Sequence, residues 1–229
     1  MSFKVHIPNI LTSGNLLCGF LGVIQMVQGD LTIACYFIWM AAFFDFIDGF
    51  SARFFKVDTV IGKDLDSLAD MVTFGLLPAL ILFTLLEQLS SSSFIPYLAF
   101  LITVFSAVRL ARFNVSEQNA GFIGLPTPAN GILISSFPFI IDGDFGLVTQ
   151  FLSNPIILAI LTIILSILLI ANVPMFSLKF KDYSWANNKV KYIFILCSIL
   201  LFTFFQLMAI PFIVLFYIIL SISNRFVLK

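Results

Sequence analysis

Residues 45–70 read DFIDGFSARFFKVDTVIGKDLDSLAD and place Asp45, Asp48, Asp66 and Asp70 at or inside the ends of hydrophobic segments, in a chain only 10% charged. An aspartate at mid-bilayer costs roughly 2.5 to 3.5 kcal/mol on insertion scales, so a group of them demands compensating chemistry, most directly a bound cation. Asp45, Asp48, Gly49 and Ala52 are spaced i, i+3, i+4, i+7 and share one helical face, while Gly62, Asp66 and Asp70 recur every fourth residue on the next helix. With residues 54–61 as the turn, the two carboxylate pairs face each other across a helical hairpin. Any one of these aspartates alone is equally well read as a cap or a solvated helix end; the joint spacing is what points to a site. Oxygen donors with no His or Cys nearby favour a hard cation, Mg²⁺ or Mn²⁺, and a cluster of this size can hold two ions that share a bridging carboxylate. Gly49 and Ala52 leave a trough where a base or a pyrophosphate can approach the backbone. Arg53 adds a fixed positive charge for phosphate or carboxylate. Asp58 and Asp64 match neither face and read as loop residues.

The elements that must carry these groups are membrane helices. With 229 residues, 60% apolar content and a mean hydropathy of +1.09, the chain reads as an all-α polytopic membrane protein. A net charge of zero offers no basic surplus for nucleic acid. Cys18, Cys35 and Cys197 lie far apart in apolar runs and His6 is the sole histidine, which leaves no material for zinc sites, disulfide frameworks or Cys/His nucleophilic pairs. The first apolar run lacks a small-residue cleavage site before it and is expected to stay as a membrane helix.

A ruler of about 20 apolar residues per span gives runs near 9–28, 31–55, 66–87, 94–113, 129–147, 154–174, 190–206 and 208–223. Pro211 marks either a helix start or a kink between the last two. If the N-terminus is cytoplasmic, all basic residues (Lys4, Arg53, Lys56, Lys63, Arg109, Arg112, Lys179, Lys181, Lys189, Lys191, Arg225 and Lys229) fall on the cytoplasmic side, and the opposite loops hold only Asp30, Glu87, Asp142 and Asp144. Both termini and the aspartate cluster then lie at the cytoplasmic face of the cell membrane. Ser90 to Ser93 read as a plain external connection, and the sequon Asn114-Val115-Ser116 is discounted because its loop is cytoplasmic.

The full pattern, Asp45-x2-Asp48-Gly49-x2-Ala52-Arg53-x8-Gly62-x3-Asp66-x3-Asp70, resembles the signature of the CDP-alcohol phosphotransferase family at every specified position. The resemblance implies a six-helix membrane core over 1–174, usually in a homodimer, with 190–223 as added helices of a single domain spanning 1–229. It implies transfer of a substituted phosphate from a CDP-linked lipid to an alcohol, with release of CMP. It further implies Asp45, Asp48, Asp66 and Asp70 as metal ligands, Asp70 also as the base for the alcohol, and Gly49, Ala52, Arg53 and Gly62 lining the CDP site, with Thr12 and Asn15 as further contacts to the CDP-lipid.

IPNILTSGNLLCGF at the start, SLADMVTFGLLPA, RLARFN at 109–114 and GLPTPAN at 124–130 are similar to the phosphatidylserine synthase branch, over roughly residues 7 to 135. That implies CDP-diacylglycerol and L-serine as substrates. Serine brings a carboxylate, for which Arg109 and Arg112, or Asn114, are candidates; Arg109 and Arg112 serve equally well as positive-inside anchors or donor-phosphate ligands. Pro126 and Pro128 are expected to stiffen the entry to the fifth helix. Two other readings stay open. One keeps the chemistry with another acceptor, glycerol phosphate or an inositol phosphate, or with an archaeal ether lipid. The other is a cation transporter, which explains the aspartates but not Gly49, Ala52 and Gly62.

Overall fold

The computed structural model describes residues 6–57, 59–115, 122–143, 145–176 and 184–227. Lys4, Asp58, Ser116, Asp144, Lys179, Lys181 and Lys229 of the sequence reading lie outside them. The described chain is almost entirely helical: α1 (His6–Gln28), α2 (Leu31–Phe55), α3 (Val60–Asp70), a π-helical turn (Met71–Leu76) leading without a break into α4 (Leu77–Leu89), a 3-10 turn (Ile95–Ala99) leading into α5 (Phe100–Val115), α6 (Thr127–Asp142), α7 (Leu147–Leu152), α8 (Pro155–Ile170), α9 (Trp185–Phe205) and α10 (Ala209–Val227). Stretches 6–28, 31–55, 60–89, 95–115 and 188–223 are each long and apolar enough to cross a membrane, and α8 is a shorter apolar helix. Exposed Phe43, Phe46, Phe50 and Phe54 along α2, like the exposed isoleucines of α8, are then lipid-facing side chains.

Each predicted run contains a helix, with corrections at the ends. The third begins at Val60 instead of residue 66, because Thr59 caps it there. Asp64 therefore sits inside α3 and is not a loop residue. The fifth ends at Asp142, and the rest of its predicted length is a turn and the short α7. The last two runs are separate helices: the chain breaks at Gln206 (φ 49°, ψ −127°), and Pro211 falls in the first turn of α10, where its missing N–H costs little.

α6 is the hub. It packs against α2, the π turn, α4 and α10, and most of its side chains are buried. Trp39 of α2 donates from Nε1 to Ser135 Oγ of α6 at 2.8 Å, joining the first hairpin to this hub. α1 and α2 form an antiparallel hairpin through Gly29, whose φ of +86° suits glycine, and Asp30, which caps α2 by accepting from Ile33 N at 2.9 Å. A two-residue antiparallel pair, β1 (Phe122–Ile123) with β2 (Pro174–Met175), ties the chain entering α6 to the chain leaving α8. Nothing in the alternation of those residues announced it.

Candidate functional site

The hairpin between α2 and α3 is set by two local signals. α2 stops in a Schellman arrangement: Val57 N donates to Ala52 O at 2.9 Å and Lys56 N to Arg53 O at 3.2 Å, with Lys56 in the left-handed region at φ 54°. A non-glycine there is strained by about 1 kcal/mol or more. α3 starts four residues later with Thr59, whose Oγ1 accepts from Gly62 N at 3.0 Å. Stop and start so close fold the helices back on each other: α2 runs on to Phe55 and α3 begins at Val60, so the connection is shorter than 54–61.

The consequence is that Asp45, Asp48 and Asp66 each bring one carboxylate oxygen to within 4.8 Å of the others. Asp70, one turn beyond Asp66, is not in that group; it is buried at 7% exposure and within electrostatic reach of Asp45 and Asp66. An all-oxygen set of three carboxylates at this spacing fits a hard divalent cation and has no thiolate or imidazole to favour zinc.

α1 holds the carboxylates from behind. Thr12 Oγ1 donates to Asp48 Oδ2 at 2.6 Å, and Asn15 Nδ2 donates to Asp70 Oδ1 at 3.2 Å. Thr12 and Asn15 are spaced i, i+3, so one face of α1 serves both aspartates. Asn15 is itself pinned by Thr73 of the π turn, whose Oγ1 donates to Asn15 O at 3.2 Å. π turns of this kind commonly sit at functional sites.

Above the carboxylates opens a cleft of about 460 Å³, walled by Thr12, Asp48 and Asp66 and by Gly49, Ala52, Arg53 and Gly62. Lys56 and Lys63 add two cations to its rim beside Arg53. These lysines, with Asn9 and Thr59, were not singled out from sequence; the glycine-lysine pair at 62–63 beside a cap was the available signal. A Cβ on Gly62 would lie 2.8 Å from Thr59 Oγ1 and 3.0 Å from Asn9 Oδ1, so only glycine leaves this wall open.

The residues considered for serine separate in space. Arg109 is buried at 8% exposure and donates from Nη1 to Thr127 Oγ1 of α6 at 2.9 Å, with Asp70 in electrostatic reach. Arg112 is exposed and reaches Ile170 O at the end of α8, at 3.4 Å. Asn114 is committed to α3: Ser67 Oγ donates to its Oδ1 at 3.0 Å and its Nδ2 donates to Asp64 Oδ1 at 3.3 Å. Lys63 Nζ donates to Asn114 O at 3.0 Å beside the ring of Phe113, satisfying the last carbonyls of α5.

The family model of CDP-alcohol phosphatidyltransferases matches residues 5–200, which include the whole hairpin and its α1 support. The chain belongs to the CDP-alcohol phosphatidyltransferase family. Among its relatives in that family is the CDP-diacylglycerol--serine O-phosphatidyltransferase of Bacillus subtilis, 32% identical over 170 residues that cover 73% of this chain and 88% of that protein. The archaetidylserine synthase of Methanothermobacter thermautotrophicus is also 32% identical, over 58% of each chain. The CDP-diacylglycerol--serine O-phosphatidyltransferase of Saccharomyces cerevisiae is 33% identical over 58% of this chain and 54% of its own length. The archaeal and yeast matches thus span little more than half of those proteins.

Proposed function

We propose that the chain transfers the phosphatidyl group of CDP-diacylglycerol to the hydroxyl of L-serine, giving phosphatidylserine and CMP. The observation that carries this reading is the convergence of Asp45, Asp48 and Asp66 beneath a cleft rimmed by Arg53, Lys56 and Lys63. That pairing of oxygen ligands with a cationic rim suits a pyrophosphate bridged to metal. The relatives named for serine transfer support the choice of acceptor.

Asp45, Asp48 and Asp66, with Asp70 beside them, would hold Mg²⁺ or Mn²⁺, two ions in this reading. A divalent metal held by these carboxylates would supply positive charge against the pyrophosphate and the departing CMP. Arg53 and Lys56 hold the diphosphate from the rim, Lys63 adds its charge there while its ammonium bonds the end of α5, and Gly49, Ala52 and Gly62 let the diphosphate approach the helix backbones. Thr12 and Asn15 act on the site by orienting Asp48 and Asp70. The serine hydroxyl oxygen attacks the phosphorus that carries the diacylglycerol, the bond from that phosphorus to the CMP oxygen breaks, and Asp70 takes the hydroxyl proton. No covalent enzyme intermediate is required. Arg109, buried near Asp70, is the residue we assign to the serine carboxylate; Arg112 and Asn114 are engaged elsewhere.

Residues 1–174 form the catalytic core in this reading, with α9 and α10 added to it. The enzyme works as a homodimer in the cell membrane, with the cleft and both termini on the cytoplasmic side, as the distribution of basic residues supports. Equal identity to a phosphatidylserine and an archaetidylserine synthase supports a second reading in which the donor carries ether-linked chains. The test is CMP release by purified protein with each CDP-lipid, with Mn²⁺ or with chelator, and with serine, glycerol phosphate or inositol phosphate in turn. Serine-dependent, chelator-sensitive release is expected; release no greater with serine than without acceptor sinks the assignment.

A further inference from the structure

Helices α5 and α6, which both pack against the turn that follows Asp70, contain polar groups that the protein does not satisfy. Asn130 of α6 is fully buried, and neither its Nδ2 nor its Oδ1 has a hydrogen-bond partner; Arg109 Nε and Ser106 Oγ of α5 are in the same condition. A buried donor or acceptor left unmade costs about 1–3 kcal/mol, and a whole carboxamide forfeits more than one bond. Such groups at one place point to a ligand that supplies the partners.

Their placement is consistent. Ser106 and Arg109 are spaced i, i+3 on α5, and Thr127 and Asn130 are spaced i, i+3 on α6. Arg109 Nη1 bonds Thr127 Oγ1, joining the two faces. Both helices close on the π turn that directly follows Asp70: a Cβ on Gly75 would lie 3.1 Å from Ser106 Cβ, and a Cβ on Gly131 would lie 3.2 Å from the Phe74 Cα. The unsatisfied groups therefore lie on the two helices that pack against the turn following the proposed base, and none of them is among the residues lining the cationic cleft.

We propose that Asn130 is a specificity residue for the acceptor: its Oδ1 receives the ammonium of an α-amino acid whose carboxylate is taken by Arg109. A carboxamide both accepts and donates, and next to a fixed guanidinium it matches a zwitterion better than a polyol or a phosphorylated alcohol. The inference rests on the serine reading above and extends it to a residue outside the aspartate signature.

The test compares full-length wild type and Asn130→Leu in lipid-detergent micelles with Mn²⁺ and CDP-diacylglycerol. CMP release is followed with L-serine, with 3-hydroxypropionate, which lacks the ammonium, and with ethanolamine, which lacks the carboxylate. Leucine has the same branched skeleton of four side-chain heavy atoms, and it leaves no buried polar atom unpaired. The expected result is a serine KM raised roughly tenfold to a hundredfold, equivalent to one charge-assisted bond. The KM for CDP-diacylglycerol and the unfolding midpoint should be unchanged, and most of the preference for serine over 3-hydroxypropionate should be lost. An unchanged serine KM, an equal rise in both KM values, or a lowered unfolding midpoint would overturn the assignment. If Asn130→Leu does not fold, Asn130→Ala is read in the same way, and failure of both means that the carboxamide is a packing element. Wild type that releases no CMP with serine removes the serine reading and this one together; serine turnover indifferent to Asn130→Leu removes this one alone.

Discussion

Thr12→Val isolates what α1 does for the carboxylates. The Thr12 hydroxyl has one proton and two acceptors in reach, Pro8 O at 3.0 Å and Asp48 Oδ2 at 2.6 Å. The shorter contact, to a carboxylate, takes it. Thr12 is 3% exposed, and removal of its hydroxyl costs about 1.5–3 kcal/mol, the range for a hydrogen bond to a charged group. Valine keeps the shape and suits an apolar helix, so the loss falls on the orientation of Asp48 and not on the fold. Expressed as metal affinity, it amounts to roughly 10- to 100-fold, typical for loss of a partner that orients a metal ligand. The assay is a Mn²⁺ titration of CMP release, paired with direct Mn²⁺ binding to the solubilised protein. Half-saturation should rise by that factor, kcat should recover at saturating metal, and the donor KM measured there should stay as in wild type. A variant with unchanged Mn²⁺ dependence and a raised donor KM would refute the reasoning, because Thr12 would then be touching the nucleotide.

Asp70→Asn should abolish turnover while CDP-lipid binding, followed by protection against thermal unfolding, persists on the remaining three carboxylates; loss of donor binding would move Asp70 from base to essential ligand. Gly62→Ala gains up to about 1 kcal/mol of helix propensity and loses about as much by displacing the Thr59 cap, so its stability should barely change. Its methyl intrudes on the cleft, and the donor KM should rise by about an order of magnitude, as expected for overpacking of 1–3 kcal/mol; an unaltered donor KM would show that the nucleotide does not use this wall. Asn114→Ala should lower stability by about 1 kcal/mol through its lost bonds to Ser67 and Asp64, seen as a reduced unfolding midpoint, with serine KM unchanged.

Much of this site was legible because helical periodicity and chemistry coincide. Asp45, Asp48 and Asp66 lie on faces that a period of 3.6 brings together wherever the turn is short, and the structure does bring them together. The turn itself was misjudged by a few residues, since Thr59 and Lys56 act through backbone geometry that apolar run lengths do not register. Thr12 and Asn15 were recognisable as polar residues near the nucleotide, but not as partners of Asp48 and Asp70, because the rotation of α1 against the hairpin is a tertiary fact. The same gap separated Arg109 from Arg112: three residues apart on one helix, one turned inward to Thr127 and the other outward to α8. The polar pair Thr127 and Asn130, spaced i, i+3 in the first turn of a mostly apolar helix, was a visible signal that their neighbouring prolines obscured. The π turn left no trace in the pattern.

The helix Val60–Leu89 runs unbroken for 30 residues, about 45 Å at 1.5 Å per residue, against a hydrocarbon slab of about 30 Å. Gly62 and Asp66 ride on its first turns, so if the overhang falls at that end, as the basic residues around the cleft favour, the cleft sits where the helix leaves the oil. For a diacyl donor this placement removes the need for extraction, which at about 0.8 kcal/mol for each methylene would exceed any affinity the cleft could offer. The quantity the enzyme senses is then the crowding of donor within the leaflet, not its molarity. Diluting CDP-lipid with inert lipid at constant bulk amount should slow the reaction, whereas adding more vesicles of the same composition should not.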